Sequence, residues 1–451
     1  MKLILGFSIP LLFGSLFQQF YSVVDTLIVG RFLGMKALAG VGATGSVNFL
    51  IVGFCMGICN GFAIPVAHKF GAKDYSGMRQ IVANCVWLSV AFAVVITTVV
   101  SLLCRQILTW MNTPEDIFEN AYIYILIIFL GIPATFLYNI LSGIIRSMGD
   151  SKTPLVFLTI SSFLNIGLDL ICIINLKMGV AGAAVATVVS QLVSGLFCLF
   201  YMIKKFEILR IQKEEWKINP HHMKVLCSMG IPMGLQYSIT AIGSVIIQAA
   251  VNSLGSVAVA SVAAAVKINM FLCCPYDAMG STMATYAGQN VGAGKFDRLK
   301  QGEKSCTLLG LVYGIVAFIF ILLFGKYLAL LFVDASEAVI ISQARLFLLC
   351  NSAFYFPLAL VNIFRFTIQG MGFSRLAILA GVCEMIGRTV VAFVFVPIFG
   401  YSAVCFASPV AWILADCFLV PAFFFCVRSL EKRAVLENRQ AVLEDKQEDK
   451  N

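Results

Sequence analysis

The chain has 451 residues, 60% of them hydrophobic and only 12% charged, with a formal net charge of +9 and a mean hydropathy of +0.93. That much apolar residue exceeds the need of any soluble core, so the composition excludes a water-soluble globular domain and describes a polytopic membrane protein. The 15 cysteines are scattered without a CxxC pair, which argues against a disulfide framework or zinc site and for buried thiols acting as small hydrophobes.

Hydrophobic runs of spanning length recur twelve times, near residues 5–30, 44–68, 81–104, 121–146, 154–176, 179–203, 225–251, 260–288, 304–325, 343–368, 376–398 and 402–427. No water reaches the hydrocarbon to satisfy a free backbone, so each run is predicted to be a helix. The alternating pattern of a barrel strand is absent. The first run is too long and wrongly flanked for a cleaved signal peptide and is expected to stay as a membrane helix. The second carries Gly53, Gly57 and Gly61 at four-residue spacing, a face suited to close helix packing. The predicted fold class is all-α, with twelve transmembrane helices.

Lys and Arg concentrate at the N-terminus and in the even-numbered connections, for example Lys69, Lys73 and Arg79, Arg146 and Lys152, and Lys204 to Lys224. The odd-numbered connections hold Arg31, Lys36, Arg105, Lys177 and Lys326. This bias predicts cytoplasmic termini and a multi-pass protein of the inner (plasma) membrane. Loop placement thus accounts for the net charge, and no nucleic-acid partner is expected. His68, His221 and His222 lie near segment ends and imply no metal cluster.

The chain also echoes itself. Ile9-Pro10 recurs as Ile231-Pro232, GAKDYSGMRQ (71–80) as GAGKFDRLKQ (292–301), and RSMGDSK (146–152) as QGMGFSR (369–375). Six helices separate each pair, an even number, so the halves are parallel repeats about an axis along the membrane normal. The expected organisation is an N-terminal six-helix lobe (1–203), a basic linker (204–224), a C-terminal six-helix lobe (225–428) and a charged, solvated tail (429–451), the lobes flanking a central cleft.

Acidic residues within the spans are the sharpest functional signal. Asp169 and Asn165 sit one turn apart on the fifth helix; a carboxylate there costs roughly 2.5–3.5 kcal/mol and needs a water-filled cavity, a partner or a proton. At about 1.5 Å per residue, Asp25, Asp169, Thr187, Tyr124 and, slightly deeper, Asn165 fall in one layer of the N-terminal lobe. No Lys or Arg is expected near that layer, which suits a proton or cation carrier; a hydrogen-bonded structural network is the competing reading. In the C-terminal lobe, Glu384 and Arg388 at i, i+4 are expected to satisfy each other in a structural charge network with Asp277, with Asp416 also at depth. Pro10, below Asp25 on the first helix, is a candidate conformational hinge, with a static kink as the alternative.

Over residues 5–428 the sequence resembles the multidrug and toxic compound extrusion (MATE) transporters, through IPLLFGSLFQQFYSVVDTLIVGRFLG (9–34), GAKD (71–74), RSMGDSKTP (146–154), NIGLDL with GVAGAAVAT (165–187) and GQNVGAG (288–294). The resemblance implies two bundles in a V-shaped cleft and alternating access driven by H⁺ or Na⁺. It maps the cation site of the prokaryotic branch onto Asp25, Asn165, Asp169 and Thr187, with Tyr124 alongside and Na⁺ as one occupant of Asp25, Asn165 and Asp169. Without a Walker A motif, ATP drive is not expected, nor is enzymatic activity or any cofactor beyond the coupling ion. The expected function is monomeric secondary efflux of amphiphilic organic cations. The alternative is a lipid or lipid-linked oligosaccharide flippase, which the apparent lack of Lys or Arg inside the first-lobe spans disfavours.

Overall fold

The computed structural model describes the backbone of residues 1–448 and side chains through Leu436. The first half contains α1 (Lys2–Leu33), α2 (Met35–Ala43), α3 (Gly45–Gly71), α4 (Tyr75–Leu102), α5 (Cys104–Trp110), α6 (Glu115–Leu130), α7 (Ile132–Ser147), α8 (Lys152–Leu170) and α9 (Val180–Lys205). The second holds α10 (Pro220–Asn252), α11 (Ser256–Gly292), α12 (Phe296–Ala329), α13 (Ala338–Ala353), α14 (Tyr355–Gly370), α15 (Ser374–Val390), α16 (Val396–Phe399) and α17 (Tyr401–Glu448). Ten spans are single rods; α6–α7 and α13–α14 are bent pairs that complete twelve. Apolar side chains such as Val94, Leu102, Leu323 and Phe425 point outward, as hydrocarbon permits and water does not. The protein is a multi-pass membrane protein of two six-helix lobes in a V.

The local breaks have readable causes. The 45° bend between α6 and α7 falls at Gly131, where a Cβ would strike Val188 of α9, and Pro133 then opens α7 without an N–H to give. The 53° bend between α13 and α14 precedes Pro357 in the same way. Both α8 and α15 end in a π turn, Ile171–Asn175 and Val391–Phe395. Asp74 caps α4 by accepting from the Gly77 N–H at 2.9 Å and also pairs with Lys69 at 2.6 Å.

The two lobes exchange their first helices. Each lobe has its own core, yet Ile4 of α1 is buried in the C-terminal core and Leu226 of α10 in the N-terminal one. These positions correspond in the repeat. Further in, Ser8 of α1 hydrogen-bonds Thr282 of α11 at 2.8 Å, while the mirror contact packs Gly230 of α10 on Gly61 of α3. Gly57 completes that crossing, since a Cβ there would come 2.6 Å from the Met233 carbonyl oxygen. The glycine face of α3 thus serves the lobe interface.

At the end of the molecule rich in Lys and Arg, the same reciprocity makes a seal. His68 Nε2 lies 2.7 Å from the Gly370 carbonyl oxygen, and its repeat mate Gln289 donates from Nε2 to the Ser147 carbonyl oxygen at 2.8 Å. Between them α3 and α11 cross at backbone contact. A Cβ on Gly71 would strike the Gln289 carbonyl oxygen, and one on Gly292 would strike that of His68. The lobes are therefore joined at the basic end and diverge toward the other.

The linker is ordered rather than loose. Its 3-10 turn Lys213–Trp216 is stapled to α4: Arg79 Nε donates to Glu215 at 2.8 Å, the Gln212 N–H donates to the same carboxylate at 2.9 Å, and Trp87 Nε1 donates to the Trp216 carbonyl at 3.1 Å. Hydrogen bonds from Arg79 hold the Glu215 carboxyl below the usual carboxylate range. A depressed folded-state pKa contributes stability above the unfolded value, near 4.3, and loses it as pH falls through the folded value. Glu215→Gln is expected to lower stability by about 1–2 kcal/mol at neutral pH. In thermal unfolding of the purified protein, that difference should shrink as the buffer drops below about pH 4.

The expected solvated tail continues α17 as helix to Glu448, tied to α12 by Lys300 and Glu431 at 2.6 Å. Residues 449–451 lie outside the described residues.

Candidate cation and substrate site

In the N-terminal lobe, away from the basic end, four helices converge on one polar pocket. Asp25 comes from α1, Asn165 and Asp169 from α8, Thr187 from α9 and Tyr124 from α6. Asp169 is fully buried, Asn165 is 2% exposed and Tyr124 8%; Asp25 is half-buried. The Asp25 and Asp169 carboxyls face each other within hydrogen-bonding reach. Asn165 Nδ2 donates to Thr187 Oγ1 at 3.5 Å, and Thr187 in turn donates to the Ala183 carbonyl at 3.1 Å.

What the pocket lacks matters more. Asp25 Oδ1, Asn165 Oδ1 and both Asp169 oxygens are buried without a hydrogen-bond donor, and no salt bridge reaches either carboxyl among the described residues. An unsatisfied buried acceptor costs about 1–3 kcal/mol, so four together are a standing demand for positive charge. One proton shared between the carboxyls meets it, as does one hard cation taking oxygen ligands. The residues thus fit H⁺ or Na⁺ as cargo. Tyr21, one turn before Asp25 on the same face of α1, adds a hydroxyl within electrostatic reach of both acids. The sequence reading passed over it, although its i−4 spacing from Asp25 was visible.

The C-terminal lobe differs from expectation. Glu384 Oε2 meets Arg388 at 3.3 Å, but its other oxygen is taken by Arg365 of α14. The pair is a trio with an excess positive charge, and Arg388 also reaches the Thr240 carbonyl oxygen at 3.5 Å. Asp277, grouped with the pair from sequence, is not part of it: α11 turns its side chain into open space, on the side of Arg365 and Tyr237 and beyond ion-pair range. Asp416 likewise makes no ion pair among the described residues. Glu384→Gln is therefore expected to leave two buried guanidinium groups unneutralised and to cost about 3–5 kcal/mol. Glu384→Gln/Arg388→Gln should not restore stability, because Arg365 remains, whereas Arg365→Gln added as a third change should. Melting temperatures of the purified variants decide it; recovery in the double variant would mean that Arg365 is idle.

A second correction concerns Arg146. Assigned to a loop from sequence, it lies inside the last turn of α7. Its guanidinium donates to Ser142 Oγ at 2.7 Å and Asn60 Oδ1 at 3.2 Å. It lines a cavity of about 40 Å³ on the floor of the cleft, just above the seal, with Asn60, Met233, Ser281, Thr285 and Phe366.

The MatE family model matches residues 10–171 and 232–394, once in each half. The chain is 30% identical over 366 residues to the probable multidrug resistance protein YpnP of Bacillus subtilis, covering 80% of each. It is 25% identical over 445 residues to the probable multidrug resistance protein NorM of Thermotoga maritima, covering 96% of this chain and 94% of that one. A solved structure described as the outward-facing conformation of a multidrug resistance MATE family transporter of the MOP superfamily superposes with a TM-score of 0.90. It covers 95% of this chain and 96% of its own at 23% identity, a likeness that carries the fold.

Proposed function

The chain belongs to the MatE family, and from that premise we propose that it exports amphiphilic organic compounds, cations among them, in exchange for H⁺ or Na⁺ held between Asp25 and Asp169. The observation that carries this reading is the set of four donorless buried oxygens, three on two facing carboxyls and one on the Asn165 amide. The positive-inside bias puts the sealed end and both termini in the cytoplasm of an inner (plasma) membrane protein. The cleft then opens outward, and the ion enters the N-terminal lobe from outside. A charge crossing about 100 mV is worth about 2.3 kcal/mol, which sustains roughly a fifty-fold gradient of a substrate that itself moves no charge; for a cation exchanged one for one, the ion's own concentration gradient is the drive.

Ion and substrate are coupled only if a two-state element responds to the ion. Pro10 lies inside α1 between the lobe-interface contact at Ser8 and the acid at Asp25. Our hypothesis is that filling the acid pair changes the bend there. Pro10→Ala should slow exchange far more than Pro232→Ala, with substrate binding retained at fixed pH; equal effects would leave both prolines as shared architecture.

A flippase needs a basic cavity to hold pyrophosphate. Arg146 supplies one guanidinium at the floor, but Arg365 and Arg388 are engaged by Glu384, so drug export is the better fit. The test is counterflow of a fluorescent organic cation in proteoliposomes of the monomeric protein under imposed pH or Na⁺ gradients. Movement driven by one of them is expected; movement indifferent to both would overturn the reading.

A further inference from the structure

One buried acid of the C-terminal lobe belongs to neither cluster described above. Glu303 of α12 is 3% exposed, and no salt bridge reaches it among the described residues. It lies about 10 Å in from the basic end of its helix, with Gln301 and Lys304 beside it exposed. In the register of the echoed motifs its mate is Val82, and the mate of its partner Thr367 is Ile144. Both mates are buried and apolar, so packing alone does not call for an acid at this place. Thr367 Oγ1 lies 2.8 Å from Glu303 Oε2 and 2.7 Å from the Ile363 carbonyl oxygen. A hydroxyl has one hydrogen to donate. Both contacts are hydrogen bonds only if Glu303 supplies the second hydrogen, its carboxyl O–H donating to Thr367 and Thr367 donating to Ile363. The remaining oxygen, Oε1, is buried without a donor, a poor setting for a full negative charge. The neighbouring helices bring no ion to it. Arg365, two residues before Thr367 on α14, is taken by Glu384. The Tyr286 hydroxyl of α11 donates to the Arg298 carbonyl at 3.0 Å, Arg345 of α13 lies against Gly325 at the other end of α12, and Glu431 of α17 is engaged by Lys300. The Cys306 thiol, one turn on, is within electrostatic reach of both Glu303 and the Met1 amino group.

We propose that Glu303 is a proton-binding site separate from the Asp25–Asp169 pair, filled from the basic end, whose proton keeps the seal shut. The link to the seal is short. The Thr367 carbonyl accepts from the Met371 N–H at 2.9 Å, in the turn that ends α14. That turn presents the Gly370 carbonyl to His68, and Gly370 packs on the Ala284 carbonyl, which a Cβ would strike. With the proton in place, the chain from Glu303 through Thr367 to Ile363 holds α12 to α14. Without it, a carboxylate with a single donor is left in an apolar wall and gains by admitting water. α14 then moves off α12 and takes the Gly370 carbonyl with it. The sealed form is thus the one that binds the proton more tightly, and a rise in pH at the basic end favours the open form. A tenfold difference in proton affinity between the two forms moves their balance tenfold as the site titrates.

The test uses the full chain in neutral detergent, without substrate. Spin labels at positions 73 and 295 are carried on unnatural amino acids, which leaves the native cysteines untouched. Between about pH 5 and about pH 9, the range over which buried glutamates titrate, the open form is expected to rise roughly tenfold. Infrared difference spectra over the same range should lose a protonated-carboxyl band. Carbon-13 in the glutamate carboxyls should shift that band, which separates it from Asp25 and Asp169. Glu303→Gln, which offers Thr367 an amide donor in place of the acid, should stay sealed throughout and lack the band. Glu303→Val/Thr367→Ile, which copies the pair of the first lobe, should do the same and stands in if the amide variant does not fold. His68 at the seal and the Asp25–Asp169 pair also carry protonation sites, so the response should survive His68→Gln and Asp169→Asn. A wild type without an isotope-sensitive band carries Glu303 ionised and ends the proposal. So does a label distance indifferent to pH, a response that persists in either Glu303 variant, or one that disappears in His68→Gln or Asp169→Asn. No readout involves substrate, so the outcome is independent of what the protein exports.

Discussion

Asp169→Asn is expected to abolish gradient-driven efflux while leaving the protein folded in the membrane. The substitution is isosteric and leaves Asp25 as a lone carboxyl, so the pair of acids that would share one ion is gone. The gradient-driven accumulation ratio should fall to about one, from roughly fifty-fold at about 100 mV for a substrate that moves no net charge. Stability should not fall, because a buried carboxyl without a donor is a liability that the amide relieves by gaining N–H groups. Asp25→Asn should behave alike. The double variant should be no worse than either single one, because on the proposed reading both residues would serve a single ion step and their effects would not add. Efflux and counterflow in proteoliposomes, alongside melting temperatures, separate the outcomes. Normal transport by either single variant would sink the assignment, and additive losses would mean two independent steps.

Gly292→Ala should be the most damaging methyl group that can be added to the molecule. It would meet the backbone carbonyl of His68 rather than a side chain that can turn away, so α3 and α11 must part. Overpacking costs about 1–3 kcal/mol where side chains can adjust, and a rigid crossing stands at or above the upper end. Each 1.4 kcal/mol shifts a two-state balance tenfold, so the sealed form should lose a factor of roughly a hundred or more in population. Spin labels at positions 73 and 295, on the loops flanking the crossing, should report a wider basic end, and transport should slow in step. Gly71→Ala should do the same through Gln289. Gly45→Ala, on the same helix with nothing within 4 Å, is the control and should change neither. An unaltered label distance in Gly292→Ala would mean that the crossing is not the seal.

Much of this was legible in the chain. Twelve spans are readable because lipid forces each run to satisfy its own backbone, and the echoed motifs disclose the duplication. Depth arithmetic places Asp25, Asn165, Asp169, Thr187 and Tyr124 in one layer because a helix advances by a fixed rise. What the sequence hid depends on direction rather than depth. Hydropathy assigns Arg146 to a loop since it stands two residues from a turn, and nothing in the pattern says that its guanidinium folds back onto Asn60. Arg365 was overlooked because it lies on α14, far in sequence from Glu384, where no spacing rule applies. Pro133 is visible as a break, but its 45° angle follows from how Gly131 seats against Val188. The echoed motifs also gave no sign that the mates touch each other, because those contacts run through carbonyl oxygens, which every residue has.

The seal at the basic end has the form of a homodimer interface written into one polypeptide. In a true homodimer the contact is self-complementary, and a change on one side is forced upon the other. A fused duplicate is free of that constraint. His68 and Gln289 make the same bond with different chemistry, Gly230 on Gly61 replaces Ser8 on Thr282, and Arg146 stands opposite a neutral Gln369. The backbone keeps the twofold, while the side chains are at liberty to make the two halves unequal. The result is an unpaired set of buried acids in one arm and a neutralised Glu384 cluster in the other.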